Sequence, residues 1–351
     1  MRLLTVTLLS ALVALPATTQ QPPQFGERVE VNAVLIDAII TDSKGNQILG
    51  LEKQDFLVSE NGQAQEIDSV DYFTTRRLLT GPEHAAAFKV ERVKEQRYFL
   101  IFFDKMVGAT LFDRFALARR AAEDFVNRDV GENDYVAVVG HDVRLKVYSD
   151  FTSDRKKLIQ AIRDTAKFSK GISKADKNNS GPSILRAMNS AAMIGGTGTV
   201  YEAIMELANA VEPIRGKKNL IVFSPGIVEP GEEIRNGVLL STSRYYDPMV
   251  EALNDANVSV YAANVILDQI APAYHQTLQR MSLETNGGYF RNNVSFHNVF
   301  RGVEKSSSGY YLLTYRTRKA PQTKGFQKVQ VKVKNQPELR VQARSGYNYG
   351  G

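Results

Sequence analysis

The chain contains no cysteine in its 351 residues. Disulfides, zinc–thiolate centres and cysteine nucleophiles are therefore excluded, and stability must come from core packing. A lipid-modified cysteine behind a leader segment is excluded as well. Histidine is scarce: His84, His141, His275 and His297. No two of them stand at the spacing of a helical metal pair, and there is no HExxH. Long apolar runs are also missing, with one exception. "LLTVTLLSALVALPA" (Leu3 to Ala17) follows Met1-Arg2 and ends in the polar "TTQQPPQ". It is too short and too abruptly ended for a membrane span, and predicts a signal peptide over residues 1–19. Cleavage is expected between Ala17 and Gln20, with an uncleaved N-terminal anchor as the alternative. The mature chain is then expected to carry no transmembrane span and to be periplasmic or extracellular.

Charge of one sign is not concentrated either. The net charge is +6, and the basic residues are scattered apart from pairs such as Arg76-Arg77, Lys156-Lys157 and Lys217-Lys218. A nucleic-acid binder would cluster them with aromatic platforms, so no nucleic acid is expected as a partner. Weak attraction to an acidic envelope surface is compatible with the balance.

What is present is material for folded domains. Apolar residues make up 43% and charged residues 23% of the chain, enough for a core and for two or three domains. Residues 27–73 form a first, β-rich zone. "VEVNAVLIDAIITD" alternates like one or two strands, and "DFLVSENGQAQEIDSVDYF" reads as a hairpin turning at Asn61-Gly62. Residues 74–96 are polar and read as a linker. Residues 97–304 alternate buried strands ("RYFLIFFD", "DYVAVVGH", "KNLIVFS", "VSVYAANV") with amphipathic helices such as "TLFDRFALARRAAEDFVNRDV". That alternation predicts an α/β fold: a doubly wound, mainly parallel sheet with helices on both faces. Thr152 or Ser153 is the expected cap of "DRKKLIQAIRDTA", and Gly287-Gly288 the expected left-handed stop of "AYHQTLQRMSLETNGG". Residues 308–351 return to strands, with valines on one face of "VQVKVK" and Gln/Lys on the other. The two β zones are each small. They are expected to pack together as one β-sandwich, with the α/β domain inserted between them.

Three segments in order, "YFLIFFD" before a helix, "GGTGTVYEAI" entering a helix and "GKKNLIVFSPG" as a central strand, resemble the von Willebrand factor type A domain. With the front phrase "VNAVLIDAIITDSKGNQILGLEKQDFLVSENGQAQEI" and the tail "GYYLLTYRT…FQKVQVKVKNQPELRVQARSGY", the chain is similar to an exported subfamily of von Willebrand factor A-related proteins typical of acidobacteria. The resemblance implies adhesion or scaffolding. It also implies a Mg²⁺ site at the C-terminal edge of the sheet, with an aspartate and two serines in a first loop, a threonine in a second and an aspartate after the central strand. Asp104 matches the first aspartate. The two serine positions hold Met106 and Gly108, which cannot replace hydroxyls for a hard cation. Thr197 or Thr199 stands for the threonine, and Ser224 falls where the last aspartate would be. The expected ligand-binding set is thus Asp104, Thr197, Thr199 and Ser224. No metal or other cofactor is expected, and Mg²⁺ at the remaining oxygens is the alternative. The plainer reading has Asp104 capping a helix or bonding loop amides, and the three hydroxyls satisfying backbone groups.

Other constellations are weaker. His141-Asp142 reads as a surface turn after a strand, or as a catalytic pair. "FSPG" is not a GxSxG elbow. "GGTGT" before a helix offers amides to an anion but lacks a P-loop lysine. Asp37 and Asp42 form either a carboxylate pair or a strand and its turn residue. The function expected from the sequence is an exported, non-catalytic binding, adhesion or scaffold protein with a degenerate metal site and a protein or cell-envelope partner. The alternative is a hydrolase or hydrolase accessory of the envelope, and a third reading is envelope assembly through contacts between copies.

Overall fold

In the computed structural model the described residues are 30–43, 47–74, 96–104, 112–167, 171–176, 181–188, 197–227, 234–235, 238–239, 244–266, 273–307, 309–319 and 325–349. The predicted signal segment, almost all of the predicted linker, His84, and Met106 and Gly108 lie outside them.

An apolar run such as "RYFLIFFD" is stable in water only if both its faces are covered. Strand β5 (Arg97–Asp104) meets that need. Tyr98, Leu100 and Phe102 enter one core with the helices at Val200–Val211, Tyr246–Asp255 and Ala273–Glu284. Phe99, Ile101 and Phe103 enter a second core with the helices at Phe112–Arg128, Arg155–Asp164 and His297–Ser307. Phe99, Phe102 and Phe103 are fully buried, each worth about 1.5–3 kcal/mol of burial.

Beside β5 lie β6 (Asp134–His141) and then β7 (Leu145–Thr152) on one side. On the other lie β8 (Lys218–Ser224), β11 (Val258–Asn264) and β12 (Gly288–Phe290). Five strands are parallel, and β7 is antiparallel to β6. Counted along the sheet from β7, the order within this domain is 3-2-1-4-5-6, the doubly wound order in which the chain reverses direction between β5 and β8. A short antiparallel pair, β9 (Ile234–Arg235) and β10 (Val238–Leu239), follows β8.

The helices are numbered α1 (Phe112–Arg128), α2 (Arg155–Asp164), α3 (Ile184–Ala187), α4 (Val200–Val211), α5 (Tyr246–Asp255), α6 (Ala273–Glu284) and α7 (His297–Ser307). Two ends differ from the sequence reading. Helix α2 is capped by Asp154, whose carboxylate accepts from the amides of Lys156 and Lys157, while Thr152 Oγ1 instead receives the Asp154 amide. A carboxylate caps better here because it also faces the positive end of the helix. At the end of α6 the left-handed residue is Asn286 (φ 60°), not a glycine. Asn286 N donates to Leu283 O, and Gly287 N to Ser282 O, the paired bonds of a Schellman stop. Gly287 is needed for a different reason: a Cβ there would sit 1.7 Å from Val260 O.

The terminal zones build two four-stranded sheets. One is ordered β15 (Arg340–Ala343), β1 (Glu30–Thr41), β13 (Gly309–Lys319), β4 (Ile67–Thr74). The other is ordered β16 (Gly346–Tyr349), β14 (Gly325–Val333), β2 (Phe56–Glu60), β3 (Gln63–Gln65). Each sheet mixes strands from both ends of the chain, so neither zone completes a sheet alone. The inner faces meet through Ile36, Ile40, Phe56, Val58, Leu313, Val329 and Val331. Asn61 and Gly62 both have positive φ and turn the β2–β3 hairpin, as the sequence predicts. The expected α/β domain inserted into a β-sandwich is the observed architecture.

The sandwich rests on the N-terminal edge of the α/β sheet. Asp37 on β1 accepts from Asn257 Nδ2 at 3.0 Å. Gln342 Nε2 donates to the carbonyls of Asn286 and Gly287, and Ser345 Oγ to that of Glu284. Asp37 therefore serves this seam, while Asp42 follows the end of β1; the two do not act as a carboxylate pair.

Candidate functional site at the C-terminal edge of the sheet

Each of the four central strands ends in a polar residue: His141 on β6, Asp104 on β5, Ser224 on β8 and Asn264 on β11. The parallel register sets His141 beside Asp104, and Asn264 beside Ser224. All four continue the face that carries Val139, Phe102, Val222 and Ala262 into the first core. All are buried, Ser224 and Asn264 completely. Buried polar groups need partners, and these find them in one another and in the backbone of the loops that follow.

Ser224 Oγ donates to Asp104 Oδ2 at 2.6 Å and accepts from the Gly226 amide at 3.1 Å. His141 Nδ1 lies 3.8 Å from Asp104 Oδ1, an ion-pair distance rather than a hydrogen bond. His141 Nε2 is 3.0 Å from the carbonyl oxygen of Thr197, to which it donates. Burial pulls the His141 pKa down. The Asp104 carboxylate, the Thr197 carbonyl and the nearby Asp142 together outweigh burial and leave it above the usual 6.5. Asn264 Oδ1 accepts from the Ile266 amide at 2.6 Å, and its Nδ2 meets His275 Nδ1. At the mouth Lys146 Nζ pairs with Asp142 Oδ2 at 2.6 Å.

Of the residues expected from the sequence, Asp104 and Ser224 are in direct contact. Thr197 joins them through its carbonyl and His141, while its hydroxyl accepts from the Leu145 amide at 2.9 Å and ties the loop to β7. Thr199 stands apart: it closes a capping box on α4, its hydroxyl accepting from Glu202 N while Glu202 Oε2 receives the Thr199 amide. That box also occupies the helix end which "GGTGT" would offer to an anion. His141 is not the surface turn suggested by its sequence. It is the last residue of a buried strand, 9% exposed, and the Asp104 carboxylate draws it inward. Asn264 is the member that sequence reading missed, and His141 is read there as a turn or a catalytic pair rather than as the neighbour of Asp104. The signal for both is position: "VVGH" and "YAAN" each end an apolar run as "FFD" and "VFS" do.

In a Ser-His-Asp triad the imidazole stands between the hydroxyl and the carboxylate. Here the carboxylate lies between the hydroxyl and the imidazole, and Ser224 donates its hydrogen bond to Asp104 rather than to His141, so the arrangement is not that of the triad. Mg²⁺ asks for near-octahedral oxygen ligands, and among the described residues the oxygens at this edge are already engaged with one another. Among the described residues no three His, Asp or Glu side chains converge. One oxygen of Asp104 accepts a hydrogen bond from Ser224, and the other faces an imidazole whose charged form is favoured.

No protein-family model matches the chain, and no curated protein matches it. Among solved structures it is similar to an aerotolerance-related membrane protein from Bacteroides fragilis, at 15% identity over 60% of this chain and 98% of that one, TM-score 0.39. It is similar to BatB from Bacteroides thetaiotaomicron at 13% identity, over 60% and 98% of the chains, TM-score 0.38. The von Willebrand factor domain of the type V pilus tip protein Mfa5 from Porphyromonas gingivalis matches at 11% identity, over 60% and 94%, TM-score 0.39. These likenesses concern the fold alone.

Proposed function

We propose that the protein is an exported, non-catalytic binding or scaffold protein that meets a protein or cell-envelope partner with the C-terminal rim of its α/β sheet. One observation carries the reading. The most polar buried group at the switch point, where open α/β sheets bind their ligands, spends its hydrogen bonds on itself. Ser224 bonds Asp104, Asp104 faces His141, and His141 bonds the Thr197 carbonyl. Such a row braces strand ends and the loops that leave them. It supplies neither a nucleophile nor a metal bridge, so recognition rests on direct side-chain contacts and Mg²⁺ is not required. The recognition surface proposed here comprises the loop after Asp104, the Lys167–Ile194 segment, "GGTGT" and "PGIVEPGEEIRNG". Much of it lies outside the described residues. Val143, 73% exposed beside His141, marks the rim.

The test is site-specific photocrosslinking in intact cells of the native host, with a photoreactive residue at Val143. A control position is Leu283, 69% exposed at the far end of α6. A discrete adduct from Val143 and none from Leu283 is expected. Equal labelling, or none at either, would remove the rim as the binding face. Ester or peptide hydrolysis by the wild type that vanishes in both Ser224→Ala and His141→Ala would establish the hydrolase reading instead. Amino-terminal sequencing of the exported protein should begin between residues 18 and 20.

A further inference from the structure

The near-even charge of the whole chain conceals a division between its two β zones. Residues 27–73 hold ten acidic and three basic residues, a net charge of −7. Residues 308–351 hold one acidic and nine basic residues, a net charge of +8. Within the strands the division is complete. Every charged residue of β1, β2 and β4 is a carboxylate: Glu30, Asp37, Glu60, Asp68 and Asp71. Every charged residue of β13, β14 and β15 is a cation: Arg316, Arg318, Lys319, Lys328, Lys332 and Arg340. Strands β3 and β16 carry no charge.

The sandwich joins acidic strands to basic ones. Four of its six strand pairings cross between the zones: β15–β1, β1–β13, β13–β4 and β14–β2. Glu30 stands opposite Lys319 in the β1–β13 register, and Arg316 Nε lies 3.1 Å from Asp68 Oδ2. That ion pair is 71% and 41% exposed, and such pairs add little to stability. The larger effect of the division falls on encounter, where charge acts at a distance. Residues 74–307 separate the zones, so the amino-terminal one is made well before its partner. Until then Val34, Ile36, Ala38 and Ile40 of β1 lack the core that buries them. Unpaired strands with apolar faces are the form in which copies pair wrongly. Apolar faces cannot choose between partners, because β1 and β13 both present one. Charge can: two zones at −7 repel, whereas −7 and +8 attract. We propose that this division is a pairing code for the sandwich. It holds the amino-terminal zones of neighbouring copies apart and steers each toward a carboxy-terminal zone. Tethering through the α/β domain then favours the zone of the same copy.

The test refolds the full chain from urea, an uncharged denaturant, by dilution into sodium chloride. Raising the salt from about 20 mM to about 500 mM shortens the range of charge from about 20 Å to about 4 Å. Pulsed hydrogen exchange follows β1 and β13 beside β5 and β8 in the same molecule. Protection of β1 and β13 should slow roughly fivefold at the higher salt, and that of β5 and β8 by less than about twofold. Asp68→Asn/Asp71→Asn/Lys328→Gln/Lys332→Gln alters exposed side chains only. In that variant the salt effect on β1 and β13 should fall to roughly twofold, with more aggregate than the wild type leaves at low salt. If it does not fold, Glu66→Gln/Asp71→Asn is the second probe, since it spares the pair of Asp68 with Arg316. Its salt effect should fall to roughly threefold. Protection of β1 and β13 at one rate in both salts would overturn the proposal. A salt effect as large in the variants as in the wild type would overturn it equally, by placing its origin outside the two zones.

Discussion

Ser224 Oγ donates a hydrogen bond to Asp104 Oδ2 across the boundary between β8 and β5, at 2.6 Å. The bond crosses the point where the sheet's winding reverses, so it ties the two halves of the domain at the end where their loops diverge. Ser224→Ala would leave a buried carboxylate oxygen without its donor, a loss of about 1–3 kcal/mol. Asp104→Asn removes the charge that faces His141 as well, and should cost as much or more. Chemical denaturation of each variant measures this. Any hydrolytic background should be the same in the wild type and both variants.

His141 gives the rim a pH dependence with a defined sign. Its folded pKa is raised above 6.5, so the folded state holds the proton more tightly than the unfolded one. The stabilisation is therefore fully present below pH 6.5 and is lost as pH rises through the folded value. Urea midpoints taken between pH 5.5 and 8.5 should fall over that interval in the wild type. In His141→Gln the fall should flatten. A midpoint that rises with pH would contradict the ion pair with Asp104.

The architecture was legible because its signals are local. "RYFLIFFD" needs cover on both faces whatever surrounds it, and "VQVKVK" can bury only its valines; β14 does bury Val329, Val331 and Val333. The pairing of the two chain ends could be inferred from the smallness of each zone. The site was less legible because it depends on register between strands far apart in sequence. That His141 would stand beside Asp104, 37 residues earlier, follows from β5–β6 pairing, and no local pattern around "GHD" carries it. Asp154 escaped notice as a cap for a simpler reason: three adjacent residues, Thr152, Ser153 and Asp154, can all cap, and only the backbone decides.

The sandwich contains its own buried carboxylate. Glu60, 3% exposed, accepts from Tyr315 at 2.8 Å, Tyr347 at 2.7 Å and Thr317 at 3.1 Å. These donors come from the C-terminal zone and Glu60 from the N-terminal one, so the cluster clamps the two ends of the chain. Tyr315→Phe should cost about 1–3 kcal/mol, and Glu60→Leu should uncouple the three hydroxyls at greater cost. Burial first, and then the carboxylate, hold the Tyr315 and Tyr347 hydroxyls above the usual 10. Folding thus favours their protonated forms, and stability should decline as pH rises past 10. Tyrosinate absorbance against pH would show the two late-titrating phenols, and Glu60→Gln should bring them earlier.

The end of α6 allows a test of two residues with opposite roles. Asn286 supplies a left-handed turn, which glycine also provides, so Asn286→Gly should cost only a few tenths of a kcal/mol in backbone terms. Gly287 instead gives β11 room: its added Cβ would lie 1.7 Å from Val260 O and 2.9 Å from Val260 N. Backbone cannot swing aside as a flexible side chain does, so Gly287→Ala must push α6 away from the sheet. About 3 kcal/mol is expected, at the upper end of overpacking costs. The same displacement should loosen the Gln342 bonds to the Asn286 and Gly287 carbonyls, and with them the sandwich. Hydrogen exchange should therefore quicken in β15 of Gly287→Ala and remain unchanged there in Asn286→Gly. Equal exchange in the two variants would show that the seam does not depend on how α6 ends.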